Sequence, residues 1–459
     1  MFFFNLRVEL RNMQRRAELA TLFTAVRDGE CVSIVGFSNM GKSFFLRAAC
    51  SAALQNRFLP DQNRQWLFVN VDCNLMAERS EQGLRELVLR GILEELQRET
   101  GNEALLMQLD QFYQQVIEPN SPIRSPLAFS QAFNVLCEKN KRTLVILFDE
   151  FDDPFGALEG RAFLNLRAMK DRHRESLVYV TATDKRLADI RTDPERGEFI
   201  ELIGPRLQWL GFMTREDARS LGQELAHARG ETLSDDALDF IVAQSGGHAG
   251  LMRSVIGTLM RTGIGTPLSA RMDALRQTEQ LIEHDPNVRA ECEKLWIQLS
   301  AAEQAVLMAH VTGDPEDEQT AEQLRTKRIL PRPNEGEDRR LVMGEVWRSY
   351  INKQAILRMG TRRTIRVDVD AGEVYVNERK VEPLTDLEYK LLMLLYGRLN
   401  KIVDKYTIVT NVWGENYLED VDDVRIEKLV SRLRAKLEPN TTEPKYLVTI
   451  RGRGYRLVG

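Results

Sequence analysis

The chain has 459 residues, 43% apolar and 29% charged, with a formal net charge of −5 at pH 7. At roughly 100–200 residues per domain this length implies about three globular domains rather than one core. The overall acidity gives no sign of a nucleic-acid binder, so charge has to be read segment by segment. No run approaches the ~20 apolar residues that cross a bilayer. The apolar start "MFFFNLRVEL" carries early charges and lacks a small-residue cleavage site, which speaks against a signal peptide. Cys31, Cys50, Cys73, Cys137 and Cys292 show no Cys-x-x-Cys spacing and no nearby histidine pairs. They read as buried thiols of a cytoplasmic protein with no membrane partner, not as disulfides or zinc ligands.

"CVSIV" reads as a short buried strand, and "KSFFLRAACSAAL" is rich in helix formers. Between them "GFSNMGKS", Gly36–Ser43, fits G-x-x-x-x-G-K-[ST] at every fixed position. A strand, a tight loop and a helix start aim backbone N–H groups at an anionic phosphate. The expected nucleotide-binding segment is Gly36, Phe37, Ser38, Asn39, Met40, Gly41, Lys42, Ser43 and Phe44. Lys42 is expected on the β- and γ-phosphates and Ser43 on Mg²⁺. A chance match in a glycine-containing turn is the bland alternative, and the flanking strand and helix weigh against it.

Such a loop needs a second, acidic strand. "RTLVILFDEFDD" offers five apolar residues, Leu144 to Phe148, then Asp149 and Glu150. A buried parallel strand reads as an unbroken apolar run, and ligands bind at its carboxyl end. Asp149 is expected to hold Mg²⁺ and Glu150 to act as general base. Asp152 and Asp153 are expected to cap the following helix. "WLFVNVDC" (66–73), "SLVYVTAT" (176–183) and "LQWLGF" (207–212) read as further strands, alternating with helices near 80–98 and 161–175. This alternation predicts an α/β domain with a parallel, doubly wound sheet. Thr183, at a strand end, either places its hydroxyl near the γ-phosphate or has no role. Arg172, Arg174 and Arg186 flank that strand. One of them is a candidate for reaching a neighbouring subunit's site, although solvated arginines are commoner.

"NMQRRAELATL", "LFDEFDD", "LGFMTREDARSL" and "SGGHAGLMRSV" together resemble the STAND branch of AAA+-related P-loop ATPases, especially its archaeal-ATPase-like group, over about residues 10–290. The resemblance implies binding of ATP or ADP with Mg²⁺, a core over 1–212 and a helical lid over 213–289. It implies that Arg15, in a segment matched by Arg15, Glu18 and Leu19, leans on the adenine. Three departures stand out. Asn39 replaces a glycine common in the loop, but Asn tolerates positive φ better than most residues. Ala249 stands where proline is usual, and Thr183 occupies a strand end where no clear arginine is present. Binding is expected to survive, and hydrolysis is expected to be slow. Over 290–357, Ser300 and Glu303 form a capping box. "ILPRPNEGEDRRLVM" reads as a turn between two extended segments. The segment therefore reads as a first winged helix, followed by a linker at 358–364; such a module can bind DNA, but next to a lid the favoured role is to pack against the ATPase and relay nucleotide state.

The last hundred residues change character. "IRVDVDAGEVYVNERKVE" reads as a small antiparallel sheet, and Thr385 with Glu388 forms another capping box. In the helix Asp422 to Glu438, Ile426, Leu429, Val430, Leu433 and Leu437 share one stripe at helical spacing. Lys428, Ser431, Arg432 and Ala435 lie opposite, flanked by Arg425 and Arg434. From Arg425 to Arg456 nine bases face three acids, a net +6 inside an acidic chain. Phosphates require such a footprint. "TIRGRGYRL" reads as a strand, a glycine-bounded tip with Arg451 and Arg453, and a return strand. Arginine on such a tip can enter a minor groove. The segment 365–459 resembles the OmpR/PhoB-type winged-helix DNA-binding domain. The resemblance implies that the helix lies in the major groove. It implies DNA contacts from Arg432, Arg434, Thr449 and Arg451, with Tyr455 at the wing base, and the basic face and wing tip add Arg425, Lys428, Ser431 and Arg453 to the expected DNA-binding residues. Ser431 stands where arginine is frequent, which implies a different target sequence.

The reading is a multidomain, cytoplasmic transcription regulator. ATP or ADP would set its oligomeric state and its binding to double-stranded DNA, and slow hydrolysis would reset it. A signal protein or RNA polymerase is the protein partner such a regulator implies. A DNA-remodelling or loading ATPase would instead bind DNA without sequence preference and hydrolyse faster on DNA. A nucleotide-binding scaffold for a protein partner would be indifferent to Arg432→Ala.

Overall fold

The computed structural model describes residues 14–60, 64–99, 101–261, 272–331, 343–362, 365–368, 372–377, 379–413, 423–441 and 443–458. Tertiary contacts divide the chain into two units, Met1–Asn352 and Lys353–Gly459. The first is built on five parallel strands, β1 (Val32–Val35), β2 (Gln65–Asp72), β3 (Arg142–Asp149), β4 (Leu177–Thr183) and β5 (Leu207–Trp209), in the order β2-β3-β4-β1-β5. Every residue of β4 and seven of eight in β3 are buried. Their unbroken apolar text therefore reflects helices on both faces. The predicted parallel α/β sheet is present, and the loop after β1 opens at the carboxyl edge beside the ends of β3 and β4. That edge is where open α/β sheets bind ligands.

Three helices follow the sheet, Arg215–His227, Asp235–Ser245 and Ala249–Arg261. Thr214 and Ser234 cap the first two through the N–H groups of Asp217 and Ala237. Gly246 ends the second with φ of +61°, and a Cβ there would lie 2.0 Å from the Gly344 nitrogen. Only glycine satisfies both the left-handed backbone and the close approach. Beyond a helix at Met272–His284 lie helices Pro286–Ile297, Ala301–Thr312 and Glu318–Thr326, the second of these three opened by the expected Ser300–Glu303 capping box. These helices share one core in which Leu251, Met252, Val255, Leu295, Trp296, Leu307 and Trp347 are buried, and Phe37 and Met40 of the P-loop insert into it.

Two expectations change in this region. Among the described residues of 290–357 there are helices and no strand, and the expected wing falls on residues 332–342, which lie outside them. A winged helix is therefore not established there. The stretch 358–364, read as a linker, is helical as far as Arg362, at the end of a helix that begins at Glu345. The helix formers Gln354, Ala355 and Leu357 lie just before it, and Arg358, Met359 and Arg362 carry the helix on into the basic stretch.

The second unit begins with an antiparallel sheet of β6 (Ile365–Asp368), β7 (Glu373–Val376) and β8 (Arg379–Lys380). Helices Asp386–Tyr396, Lys405–Val412 and Asp423–Leu437 follow, then the hairpin of β9 (Leu447–Ile450) and β10 (Gly454–Leu457). The Thr385–Glu388 capping box is present. Ile426, Leu429, Val430, Leu433 and Leu437 are all buried, as their spacing predicted, while Arg425, Lys428, Ser431, Arg432 and Ala435 are exposed. Gly454 has φ of +124°, and a Cβ there would come 2.1 Å from the Val403 carbonyl oxygen. The hairpin closes onto this unit at that point.

One carboxylate sets the geometry of the hairpin. Glu438 is nearly buried and accepts from the backbone N–H groups of Lys445, Tyr446 and Leu447 at 2.8, 2.8 and 2.7 Å. Charge-assisted bonds of this kind contribute more than neutral ones, and deleting the acceptor leaves buried donors unpaired. Glu438→Ala should lower the stability of this unit by about 3 kcal/mol, read as a lower urea midpoint for its unfolding. An unchanged midpoint would remove the strap role.

Candidate functional site

The P-loop is held from several sides. The Gly36 N–H donates to the Thr183 carbonyl at 3.1 Å, which fixes the loop to the end of β4. Asn39 has φ of +60°, the conformation its replacement of glycine demands. Its side-chain amide donates to both carboxylate oxygens of Glu291, at 3.1 and 2.8 Å, and its carbonyl accepts from the Gly250 N–H at 3.1 Å. His248 is fully buried and has its pKa pushed down to about 4 by that burial. Its Nδ1 accepts from the Leu251 N–H at 3.0 Å, so Nε2 carries the proton and donates to the Ser38 carbonyl at 3.3 Å. One neutral imidazole thus caps the helix Ala249–Arg261 and holds the loop.

Lys42 is buried. Its ammonium donates to the carbonyls of Gly36 and Phe37, at 2.9 and 3.4 Å, and pairs with Asp184. Asp149, at the end of β3, is 2% exposed. Burial raises its pKa, while the Ser43 hydroxyl and the Lys42 charge oppose that rise. The loop's serine and the acidic strand therefore meet as the pattern requires. Glu150 sits at φ of +52°, a strained backbone for this residue. Its carboxyl is also raised, first by burial, with Lys42 opposing. A raised carboxyl lies nearer the range useful to a general base.

Several expected residues take other roles. The Arg15 guanidinium, 4% exposed, donates to the carbonyls of Met40 and Gly211 at 2.8 Å each, and its backbone N–H donates to Asp217 at 3.0 Å. It ties the start of the helix Arg16–Arg27, the loop and the helix Arg215–His227 together. The side chains of Phe37 and Met40 lie in the lid core, which leaves only their backbones to a ligand. The Thr183 hydroxyl donates to the Lys185 carbonyl at 2.6 Å and shapes the turn. Its neighbour Asp184 is the residue that reaches Lys42. Asp152 does not cap a helix; both its oxygens accept from the Asp184 N–H at 3.0 Å. Arg186 makes a bidentate pair with Asp189 at 2.7 and 2.8 Å, and Arg172 lies 3.4 Å from Glu138, while Arg174 is exposed.

Asp184 and Gln298 escaped the sequence reading. An acid at the end of the strand beside β1 was a visible signal for the first. Nothing local marks the second, which reaches the loop across 260 residues.

In the second unit Arg425, Lys428, Ser431 and Arg432 form one exposed face, and Arg451 and Arg453 are exposed at the hairpin tip. Arg434 is half-buried and donates to the Leu447 carbonyl and the Thr449 hydroxyl, at 2.8 Å each. It joins helix to wing, and Thr449, as acceptor, keeps its own hydroxyl hydrogen for another partner. Tyr455 is 3% exposed and belongs to the core. Its ring supports the wing and does not face outward.

Similarity to known proteins follows the same division. The family described as "AAA ATPase domain" matches residues 13–180, which contain Gly36–Ser43, Asp149 and Glu150. The family "Transcriptional regulatory protein, C terminal" matches residues 379–457. A probable transcriptional regulator ycf27 from Porphyridium aerugineum is 37% identical over 91 residues, 20% of this chain and 38% of that protein. The chain thus spans well under half the length of the curated relatives it matches. The DNA-binding domain of Klebsiella pneumoniae RstA, solved with its RstA box, is 27% identical over 21% of this chain and 92% of that one, with a TM-score of 0.19. A Walker-type ATPase of Pyrococcus abyssi is 16% identical over 74% of this chain and 97% of that one, with a TM-score of 0.43. The chain carries an N-terminal P-loop, AAA+-like ATPase domain fused to a C-terminal winged-helix domain of the OmpR/PhoB type.

Proposed function

We propose that the protein is a DNA-binding transcription regulator in which ATP or ADP at the P-loop sets oligomeric state and promoter affinity, with slow hydrolysis as the reset. The supporting observation is the exposed face of Arg425, Lys428, Ser431 and Arg432 beside a two-arginine wing tip, carried by a chain whose P-loop is complete. The P-loop fits a magnesium nucleotide. Asp149 and Ser43 meet, and a Cβ at Gly41 would find nothing within 4 Å. Ser43 and Asp149 would hold Mg²⁺, whose charge would offset that of the phosphates. Lys42 would bind the β- and γ-phosphates, and Glu150 would take a proton from the attacking water.

The helix Asp423–Leu437 would lie in a major groove, with Arg432 on bases or phosphate and the wing's Arg451 and Arg453 on the backbone or minor groove. Self-association on repeated half-sites would supply the affinity that one small domain lacks. Selection from a random double-stranded DNA pool with the full chain tests this reading. One sequence motif should be enriched, and Arg432→Ala should weaken binding to it by roughly 5- to 100-fold. Retention of every sequence alike would favour a remodelling ATPase instead.

A further inference from the structure

A side chain from outside the ATPase core closes the phosphate clamp. Gln298 ends the helix Pro286–Ile297 and is half-buried. Its Oε1 accepts from the Ser38 N–H at 2.9 Å, and its Nε2 donates to the Asp184 Oδ2 at 2.9 Å. The other Asp184 oxygen pairs with Lys42, whose ammonium is turned back onto the Gly36 carbonyl. Ser38, Gln298, Asp184 and Lys42 thus form one polar chain across the place where a phosphate has to be held. Seven residues earlier, on the same side of the helix, Glu291 accepts from Asn39. Val288, Cys292, Leu295 and Trp296, on the adjoining side of the helix, are buried in a hydrophobic core.

A phosphate offers acceptors only, and the Ser38 N–H is a single donor. A phosphate oxygen and the Gln298 carbonyl oxygen therefore compete for it. A phosphate must also draw Lys42 away from Asp184, which leaves a carboxylate facing a polyanion. Like charges at that distance repel. Asp184 must then turn aside, and the Gln298 amide loses its acceptor. The Glu291 contact with Asn39 would remain between this helix and the loop.

We infer that Gln298 is a stopper of the phosphate site, and that binding of a nucleoside triphosphate withdraws it and loosens the helix Pro286–Ile297 against the P-loop. This rests on the reading of the P-loop as a nucleotide site. It gives the switch a direction: the docked arrangement belongs to the phosphate-free state, and occupancy loosens the helices beyond the lid. It also makes the P-loop's own affinity a quantity reduced by the stopper.

The test uses the full chain, a non-hydrolysable ATP analogue with Mg²⁺, and two readouts. Calorimetry should show Gln298→Ala binding the analogue ~10-fold more tightly than the natural sequence, about the weight of the hydrogen bonds removed. Hydrogen exchange on the unaltered chain, which needs no variant to fold, should show faster exchange across residues 286–298 when the analogue is bound. Equal or weaker binding by Gln298→Ala, or slower or unchanged exchange across 286–298, overturns the stopper while leaving the nucleotide site intact. Binding by neither chain overturns both the site and the stopper.

Discussion

Lys42→Ala should reduce affinity for ATP and ADP by about 100-fold or more, with the thermal midpoint of the chain falling only slightly. The ammonium lies within the loop, between the Gly36 and Phe37 carbonyls and Asp184. Removing it costs two or more charge-assisted bonds to phosphate oxygens, each roughly 1.5–3 kcal/mol. It also leaves the Asp184 carboxylate uncompensated beside the phosphates, which adds repulsion to the lost attraction. Isothermal calorimetry with ADP gives the number directly. A loss of threefold or less would mean that the loop holds phosphate through backbone N–H groups alone, and Lys42 would then be a structural partner of Asp184.

Glu150→Gln should lower ATP turnover by ~100-fold or more while nucleotide affinity stays within about threefold. The amide keeps the size and the hydrogen-bonding reach of the carboxyl but cannot take a proton. Glu150 follows β3 directly, with an unusual backbone at φ of +52°. Its upward-shifted carboxyl, caused first by burial, makes it a stronger base than a solvated glutamate. The two substitutions separate binding from chemistry: Lys42→Ala should lose both, and Glu150→Gln only the second. Phosphate release by purified protein decides between them, and undiminished turnover in Glu150→Gln would place the base elsewhere.

What could be read along the chain follows a physical boundary. Strands β3 and β4 are buried on both faces, so their text is continuous and apolar, and the sheet could be anticipated from it. The stripe of Ile426, Leu429, Val430, Leu433 and Leu437 sits on one side of a helix because one side is buried, and a helix writes that period into its sequence. The two capping boxes are local patterns of four residues, and both are present. The P-loop is likewise local, and its asparagine adopts the conformation that replacing glycine requires.

The remainder depends on contacts between distant segments, which leave no period. Gln298 and Ser38 are 260 positions apart, and Asp184 and Gln298 are 114 apart. Asp152 has the look of a helix cap, yet the neighbouring strand offers it the Asp184 N–H, and that donor takes both its oxygens. Arg15 and Tyr455 are almost wholly buried, one donating to backbone carbonyls and the other in a hydrophobic core, and contacts of this kind leave no mark in the local sequence. Arg434 lies between these cases, because its bond to Thr449 shapes the surface that would meet DNA.

The central claim is that the P-loop governs the recognition helix. The most direct measurement is the affinity of the full chain for its selected DNA site, by fluorescence anisotropy at one fixed salt concentration, with an ATP analogue, with ADP and without nucleotide, alongside Lys42→Ala. The account predicts a difference of about tenfold or more between nucleotide states that disappears in Lys42→Ala, because a switch needs differential binding to its two forms. Equal affinity in all three conditions would contradict it and separate the ATPase domain from DNA recognition.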